Sequence, residues 1–370
     1  MEKGDESVRF AVQDAAPNED LKAFEKTLVE AFTSHGHTLV DASERDVNLA
    51  FHAIDRQEPR PYPRRHRAVF SVGIIRSRAR AGADLLREAY PYLVRTISNT
   101  LVVLPDDHPD DPWVVTPELG CYRARSEGQE DPALALYESL LPLATSHLVI
   151  DNIFVPDLDP ALWPGTPQTE ELTWASRVVD GWGLLPSPFP MKEFLSPSEL
   201  RQLRHLYGIG GLSYGNFSVR HDAETFWMSA SGVNKGNLTT VGHDILLVKG
   251  YDASKDAMVL STRTDVEPHR VSVDAVEHWM IYRNFPEVQA MMHLHGWVDG
   301  VRSTSVNYPC GTREVGEEMV ALLAADPEPG RTIVGLKNHG ITATGPTFHD
   351  IIARLEGHIR TQVPMSGASA

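Results

Sequence analysis

The sequence predicts two consecutive α/β domains, residues 1–160 and 161–370. At 370 residues the chain exceeds the roughly 100 to 200 residues of a usual single domain. Strand-like and helix-like periods alternate through the first half, which argues for a layered α/β domain with a largely parallel sheet. Prolines then become dense between residues 155 and 198, from Pro156, Pro160, Pro164 and Pro167 to Pro186, Pro188, Pro190 and Pro197. The boundary falls in the first part of that stretch.

Val8-Arg9-Phe10-Ala11-Val12 reads as the first strand, and Leu21, Phe24, Leu28 and Phe32 then recur on one face of a helix. Strand-like runs follow at Thr38 to Val40, Val47 to Ile54, Val69 to Ile75 and Thr100 to Leu104, with a helix near Ala83 to Ile97. The acidic run Asp106 to Asp111 is broken by His108 and Pro109 and reads as a turn. Arg56, Arg60, Arg64, Arg65 and Arg67 cluster among prolines. They form a solvated loop, or else hold an anion or a partner. No internal repeat is visible. A glycine-rich phosphate loop after the first strand and a Lys-Ser/Thr pair are both missing, so no nucleotide fingerprint accompanies the sheet.

Past the boundary, Glu170 to Val179 carries a helix pattern, Trp182 to Phe194 reads as an irregular insertion, and a helix runs from Ser198 to Tyr207. Gly208-Ile209-Gly210-Gly211 follows that helix rather than a strand, the wrong context for a dinucleotide loop, so it reads as a turn. Ser272 is a candidate N-cap for a helix running to Tyr282, which puts Asp274 in the first turn.

Composition narrows the function classes. Hydrophobic content of 42% with 23% charged residues fits a globular chain with a sizeable core. Lys plus Arg number 34 against 50 acidic residues, and a net charge of -16 repels nucleic acid and anionic membranes over most of the surface. The start has no apolar h-region, and no stretch approaches the ~18 apolar residues that span a bilayer, so a soluble cytoplasmic protein is expected. Cys121 and Cys310 fall in separate expected domains, which suits a reducing compartment. Cys310 reads as a lone buried thiol.

The most informative residues are three histidines. In Ala290-Met291-Met292-His293-Leu294-His295, a strand would send both imidazoles to one face. His339 sits on the turn after Thr332-Ile333-Val334-Gly335-Leu336, a short apolar run expected to be the neighbouring strand. Three neutral imidazoles with an open position describe a catalytic zinc site rather than a closed structural one. Iron, manganese and cobalt suit imidazole as well. The bland alternative is three of the chain's 16 histidines, each satisfied in a core or on the surface.

Several stretches in order resemble the class II aldolase and adducin family. They are Gly215-Asn216-Phe217-Ser218-Val219-Arg220, Ser229-Ala230-Ser231-Gly232, Val271-Ser272-Val273-Asp274 and Ile281-Tyr282-Arg283-Asn284-Phe285-Pro286-Glu287-Val288. His-Leu-His, Gly311-Thr312-Arg313-Glu314 and Asn338-His339-Gly340 complete the series. The resemblance covers about residues 170 to 362 and leaves the N-terminal half unexplained. It implies an α/β/α domain with a central mixed or antiparallel sheet, supports the reading of His293, His295 and His339 as metal ligands, and implies Asp274 as the acid-base residue. Asn216, Ser231, Gly232 and Ser272 would form an anion pocket for a small phosphate or carboxylate metabolite. Val273 stands where sugar-phosphate enzymes often have a second serine, which makes carboxylate as fitting as phosphate.

The activity so implied is a divalent-metal-dependent carbon-carbon lyase, of aldolase or decarboxylase type. It would act on a hydroxy-carbonyl or keto acid through a metal-stabilised enediolate, with zinc first and Fe2+, Mn2+ or Co2+ next. The alternatives are a non-haem iron oxygenase on the same scaffold and a non-catalytic adducin-like interaction module. Only Gly296 to Cys310 separates His-Leu-His from Gly-Thr-Arg-Glu, and the long tail of some members is missing after His339. Trp297, Asp299, Arg302 and Tyr308 are the local substitutes for the residues those segments supply. The resemblance also implies a homo-oligomer, commonly a tetramer.

Overall fold

A computed structural model describes residues 7–13, 17–64, 69–117, 120–124, 131–184, 193, 195–201 and 214–365. They form two compact units, each with its own sheet. The first takes Met1–Thr145, Ser187–Leu206 and Met365–Ala370, and the second Ser146–Pro186 and Tyr207–Pro364.

In the first unit the chain runs β1 (Arg9–Gln13), α1 (Glu19–Ser34), β2 (Thr38–Leu39), β3 (Leu49–Ala53), β4 (Phe70–Ser77) and α2 (Gly82–Thr96). It continues through β5 (Thr100–Pro105), β6 (Trp113–Val115), β7 (Cys121–Arg123) and α3 (Pro132–Thr145). The sheet order is β2-β1-β3-β4-β5-β6-β7; the first five strands are parallel and the last two antiparallel. The largely parallel sheet is therefore present, with an antiparallel edge that the periodicity did not reveal. Asn18 caps α1 by accepting from the Leu21 N–H, and the apolar face of that helix sets Phe32 against Phe10 and Phe51 at 5.3 Å each. The acidic run at 106–111 is the β5–β6 connection. Arg56 pairs with Glu88, Arg60 with Glu58, and Arg64 donates to Ile97 O and Asn99 Oδ1. Arg65 and Arg67 of the expected cluster lie outside the described residues.

The second unit holds β8 (Asp151–Val155), α4 (Pro167–Asp180), β9 (Gly215–Arg220), β10 (Phe226–Ser229), β11 (Ile245–Asp252) and β12 (Ala257–Ser261). It ends with α5 (Ala275–Asn284), β13 (Ala290–Leu294), α6 (Arg313–Ala324), β14 (Ile333–Leu336), β15 (Gly340–Gly345) and α7 (Phe348–Leu355). Its sheet order is β14-β15-β13-β9-β10-β11-β12-β8, antiparallel throughout except for the parallel β12–β8 pair. Strand β8 thus pairs in this sheet, ahead of the division at 160/161 expected from proline density. Helix α4 starts as a capping box, Thr166 and Thr169 satisfying each other's backbone N–H, with Pro167 in its first turn.

Alternation along β9 shows both faces of the sheet covered. Phe217 meets Phe348 of α7 edge-on at 6.2 Å, while the next residue, Ser218, bonds His278 and Tyr282 of α5. Gly316 lets α6 approach α5, because a Cβ there would lie 2.6 Å from Met280 Sδ. The α/β/α layering follows, and His293, paired with Asn216, faces the α5 side. The expected turn at 208–211 and most of the expected helix 198–207 and insertion 182–194 lie outside the described residues.

Candidate metal centre

Strand β13 delivers two of the three imidazoles. His293 lies in its ladder between β9 and β15, and His295, one residue past the strand, extends the pairing through its N–H to Tyr214 O at 2.9 Å. Two glycines permit this approach: a Cβ on Gly215 would lie 1.9 Å from His293 O, and one on Gly340 2.3 Å from Leu294 O. The strand beside β13 is β15 rather than the expected β14, which lies one place further out. His339 stands on the tight turn joining those two, where Asn338 takes a left-handed φ of 58° that asparagine tolerates better than most residues.

The three rings converge. Centroids are separated by 5.2 Å (His293–His295), 4.9 Å (His293–His339) and 4.8 Å (His295–His339), and one ligating nitrogen from each lies within 4.8 Å of the others. His293 and His339 are buried and His295 half-buried, so the cluster opens on one side. Burial pushes His293 far below the ordinary imidazole value and lowers His339, which keeps both rings neutral as a metal ligand requires. The two Nε2 atoms face each other at 3.0 Å. Thr342 donates to Glu277 Oε1 at 2.7 Å, leaving its oxygen to accept from His293 Nδ1 at 3.4 Å. That chain puts the His293 proton on Nδ1 and its lone pair on Nε2, the tautomer suited to coordination. The donor set therefore fits a divalent cation.

Asp274 is buried beside this cluster, its carboxylate within 4.8 Å of both His293 Nε2 or Nδ1 and Cys310 Sγ. The expected N-cap, Ser272, is displaced by Asp274 itself, which makes no side-chain capping bond because its carboxyl turns toward the site instead. Asn216 Nδ2 donates to Asp274 Oδ2 at 2.6 Å, and Ser272 Oγ stands 3.5 Å away. Burial alone would raise this carboxyl. Attraction to positive charge on the rings of His293, His339, His278 and His295 acts the other way and draws the group below the usual carboxylate value, a pull that a cation held by those rings would supply when they are neutral. Ser231 and Gly232 follow a backbone pairing to the segment that leads into Ser272, since Ala230 bridges Val271 and Ser231 N donates to Arg270 O.

Three further groups stand at the site, of which Cys310 was expected only as a lone buried thiol. Lys235 is buried, and desolvation lowers it to about 8 despite the Asp274 charge; only its place shortly after Ser231-Gly232 hinted at it. Cys310 is only part-buried and brings Sγ to 3.0 Å from His339 Nε2. Glu277, raised to about 8 chiefly by burial, lies behind His293 through Thr342. Of the expected local substitutes, Arg302 is engaged with Asp326 and Asp299 with Arg360. Trp297 packs over Gly335, and Tyr308 is partly buried against the core.

Residues 199–298 match the family model described as the Class II Aldolase and Adducin N-terminal domain. The resemblance read from the motifs holds over that segment of the C-terminal half. A methylthioribulose-1-phosphate dehydratase from Cronobacter sakazakii is 36% identical over 81 residues, covering 22% of this chain and 36% of its own length. The enzyme of the same name from Klebsiella pneumoniae subsp. pneumoniae is 27% identical over 172 residues, covering 39% and 79%. The chain thus spans about a third of the first relative and about four-fifths of the second. A solved L-fuculose 1-phosphate aldolase aligns with a TM-score of 0.35 at 16% identity, over 52% of this chain and 82% of that one. Among the described residues no helix is long and apolar enough to cross a membrane.

Proposed function

We propose that this chain is a divalent-metal-dependent lyase acting on a small anionic hydroxy-carbonyl or keto-acid metabolite. His293, His295 and His339 are its metal ligands and Asp274 its proton carrier. The observation that supports this most is the gathering of three imidazole nitrogens within 4.8 Å of one another, beside a buried carboxylate. Zinc suits three neutral imidazoles best, with Fe2+, Mn2+ and Co2+ next. When bound, such a cation supplies Lewis-acid polarisation of a carbonyl.

The remaining work belongs to side chains. Asn216 fixes one oxygen of Asp274 at 2.6 Å, and the lowered pKa keeps the carboxylate ionised, so that it can accept a proton and later return it. Ser272 and the buried Lys235 lie beside it, and with Ser231 and Gly232 they would orient the anionic end of the substrate, phosphate or carboxylate. A homo-oligomer is part of this reading and is supported by the family resemblance.

Carbon-carbon cleavage is the first reading. Elimination of water is the second, favoured by the dehydratase names of the curated relatives. One experiment separates them: zinc-loaded protein is incubated with keto acids and sugar phosphates, methylthioribulose 1-phosphate included, and products are followed by mass spectrometry. Two fragments mean carbon-carbon cleavage, and one product lighter by a water means dehydration. Turnover should vanish with chelator and fall by about 10²- to 10⁴-fold in Asp274→Asn; undiminished turnover in a His293→Ala/His295→Ala/His339→Ala variant would defeat the proposal.

A further inference from the structure

Away from the His293 cluster, the second unit contains another set of convergent donors. His243 and Asp244 sit on the turn that enters β11, between Val241 and Ile245, which bridge each other. His269 comes from the segment that leaves β12 and runs on to Ser272 and Asp274. One donor atom from each of the three lies within 4.8 Å of the others, and the two rings approach to 3.8 Å between centroids at 37°.

Each of the three groups is held as a ligand would be. His243 Nδ1 donates to Glu267 O at 2.6 Å, which puts its proton on that nitrogen and leaves the Nε2 lone pair unspent. Asp244 Oδ2 accepts from Thr239 N (2.9 Å), Thr239 Oγ1 (3.0 Å) and Thr240 N (3.0 Å), so the carboxylate is pinned without a cationic partner among these contacts. His269 Nδ1 is buried and has no hydrogen-bond partner among the described residues. Leaving such a nitrogen unpaired is costly. A cation among the three would satisfy all of them at once.

We propose that His243, Asp244 and His269 form a second divalent-metal site, of the zinc class, with water completing its coordination. Two imidazoles and one carboxylate suit Zn2+ at four-coordination and discriminate against Mg2+ and Ca2+, which take oxygen ligands. Such a site has a structural consequence for the first one. It ties the β10–β11 connection to the segment 262–271 that delivers Ser272 and Asp274, so a cation there would steady the backbone from which the proton carrier projects.

The test is zinc stoichiometry by equilibrium dialysis and elemental analysis on the full chain, with Zn2+ as the only probe. Wild type should bind two equivalents. His269→Gln and, separately, His243→Gln should each bind one, with the affinity of the lost equivalent weakened at least tenfold. His293→Ala/His295→Ala should lose the other equivalent and keep this one. Zinc should raise the melting temperature of His293→Ala/His295→Ala and fail to do so when His269→Gln is added. Two equivalents retained in both His243→Gln and His269→Gln, or a single wild-type equivalent lost with His293→Ala/His295→Ala, would overturn the proposal. A single equivalent lost with His269→Gln would support this site and count against the first, so the two readings fail separately.

Discussion

Glu277→Gln isolates the carboxyl that backs the candidate metal ligand, and its effect should depend on pH in a calculable way. Glu277 is fully enclosed between α5 and β15; burial and the Asp274 charge raise it from 4.5 to about 8, against a lowering contribution from Thr342. Its folded pKa lies above its unfolded one, so the native state holds a proton that the unfolded chain releases. The stability this contributes is complete below about pH 4.5 and declines as pH rises to about 8. Each pH unit inside that window is worth about 1.4 kcal/mol. The depressed histidines act oppositely but only in acid: His278, lowered to about 4 by burial, costs stability as pH falls from 6.5. Lys235, lowered to about 8, acts only above that value.

Between pH 6.5 and 8 Glu277 is thus the sole one of these groups that titrates, and its loss should amount to about 2 kcal/mol. The assay is urea unfolding of chelator-treated protein at half-unit steps from pH 6.5 to 8. Wild type should weaken over this span, while Glu277→Gln, a neutral isostere that keeps the Thr342 bond, stays level. Parallel curves would refute the reasoning, because they would mean that Glu277 is ionised in the fold or reached by solvent.

Asp274→Asn should keep zinc at the first site yet lower kcat by about 10²- to 10⁴-fold, the usual contribution of a positioned proton carrier, as measured by steady-state kinetics on whichever substrate proves active. Phe217→Ala should remove about 3–5 kcal/mol of stability, since the ring is fully buried against Phe348, and a shift in the urea midpoint reads this directly. Gly215→Ala should prevent native pairing of β9 with β13, because the new Cβ would collide with the His293 carbonyl; loss of soluble protein or of zinc binding checks it. Thr342→Val removes the acceptor for His293 Nδ1 at unchanged size and should weaken zinc affinity about 10- to 100-fold by dialysis without loss of fold.

What could be read from the sequence follows from periodicity and its limits. The parallel strands of the first unit are continuous apolar runs such as Leu101 to Leu104, which advertise themselves. The edge strands β6 and β7 are three residues each and carry too little pattern. Strand β8 was hidden because Asp151–Val155 is a half-exposed edge followed at once by Pro156, and proline density pointed to a linker there. His293 and His295 were legible because a strand period of two fixes their common side from two letters. Which strand borders them was not, since apolar runs name buried strands without their order; β15, rich in Thr and Gly, lacks such a run yet is the strand that pairs with β13. Lys235 and Cys310 reach the site by the folding of loops, for which no spacing rule exists.

The most direct measurement is an anomalous difference map recorded at the zinc edge from crystals of the zinc-loaded protein. A peak enclosed by His293, His295 and His339, with the Asp274 carboxylate beside it, is expected. Full zinc occupancy elsewhere in the crystal with no density among those three rings would contradict it.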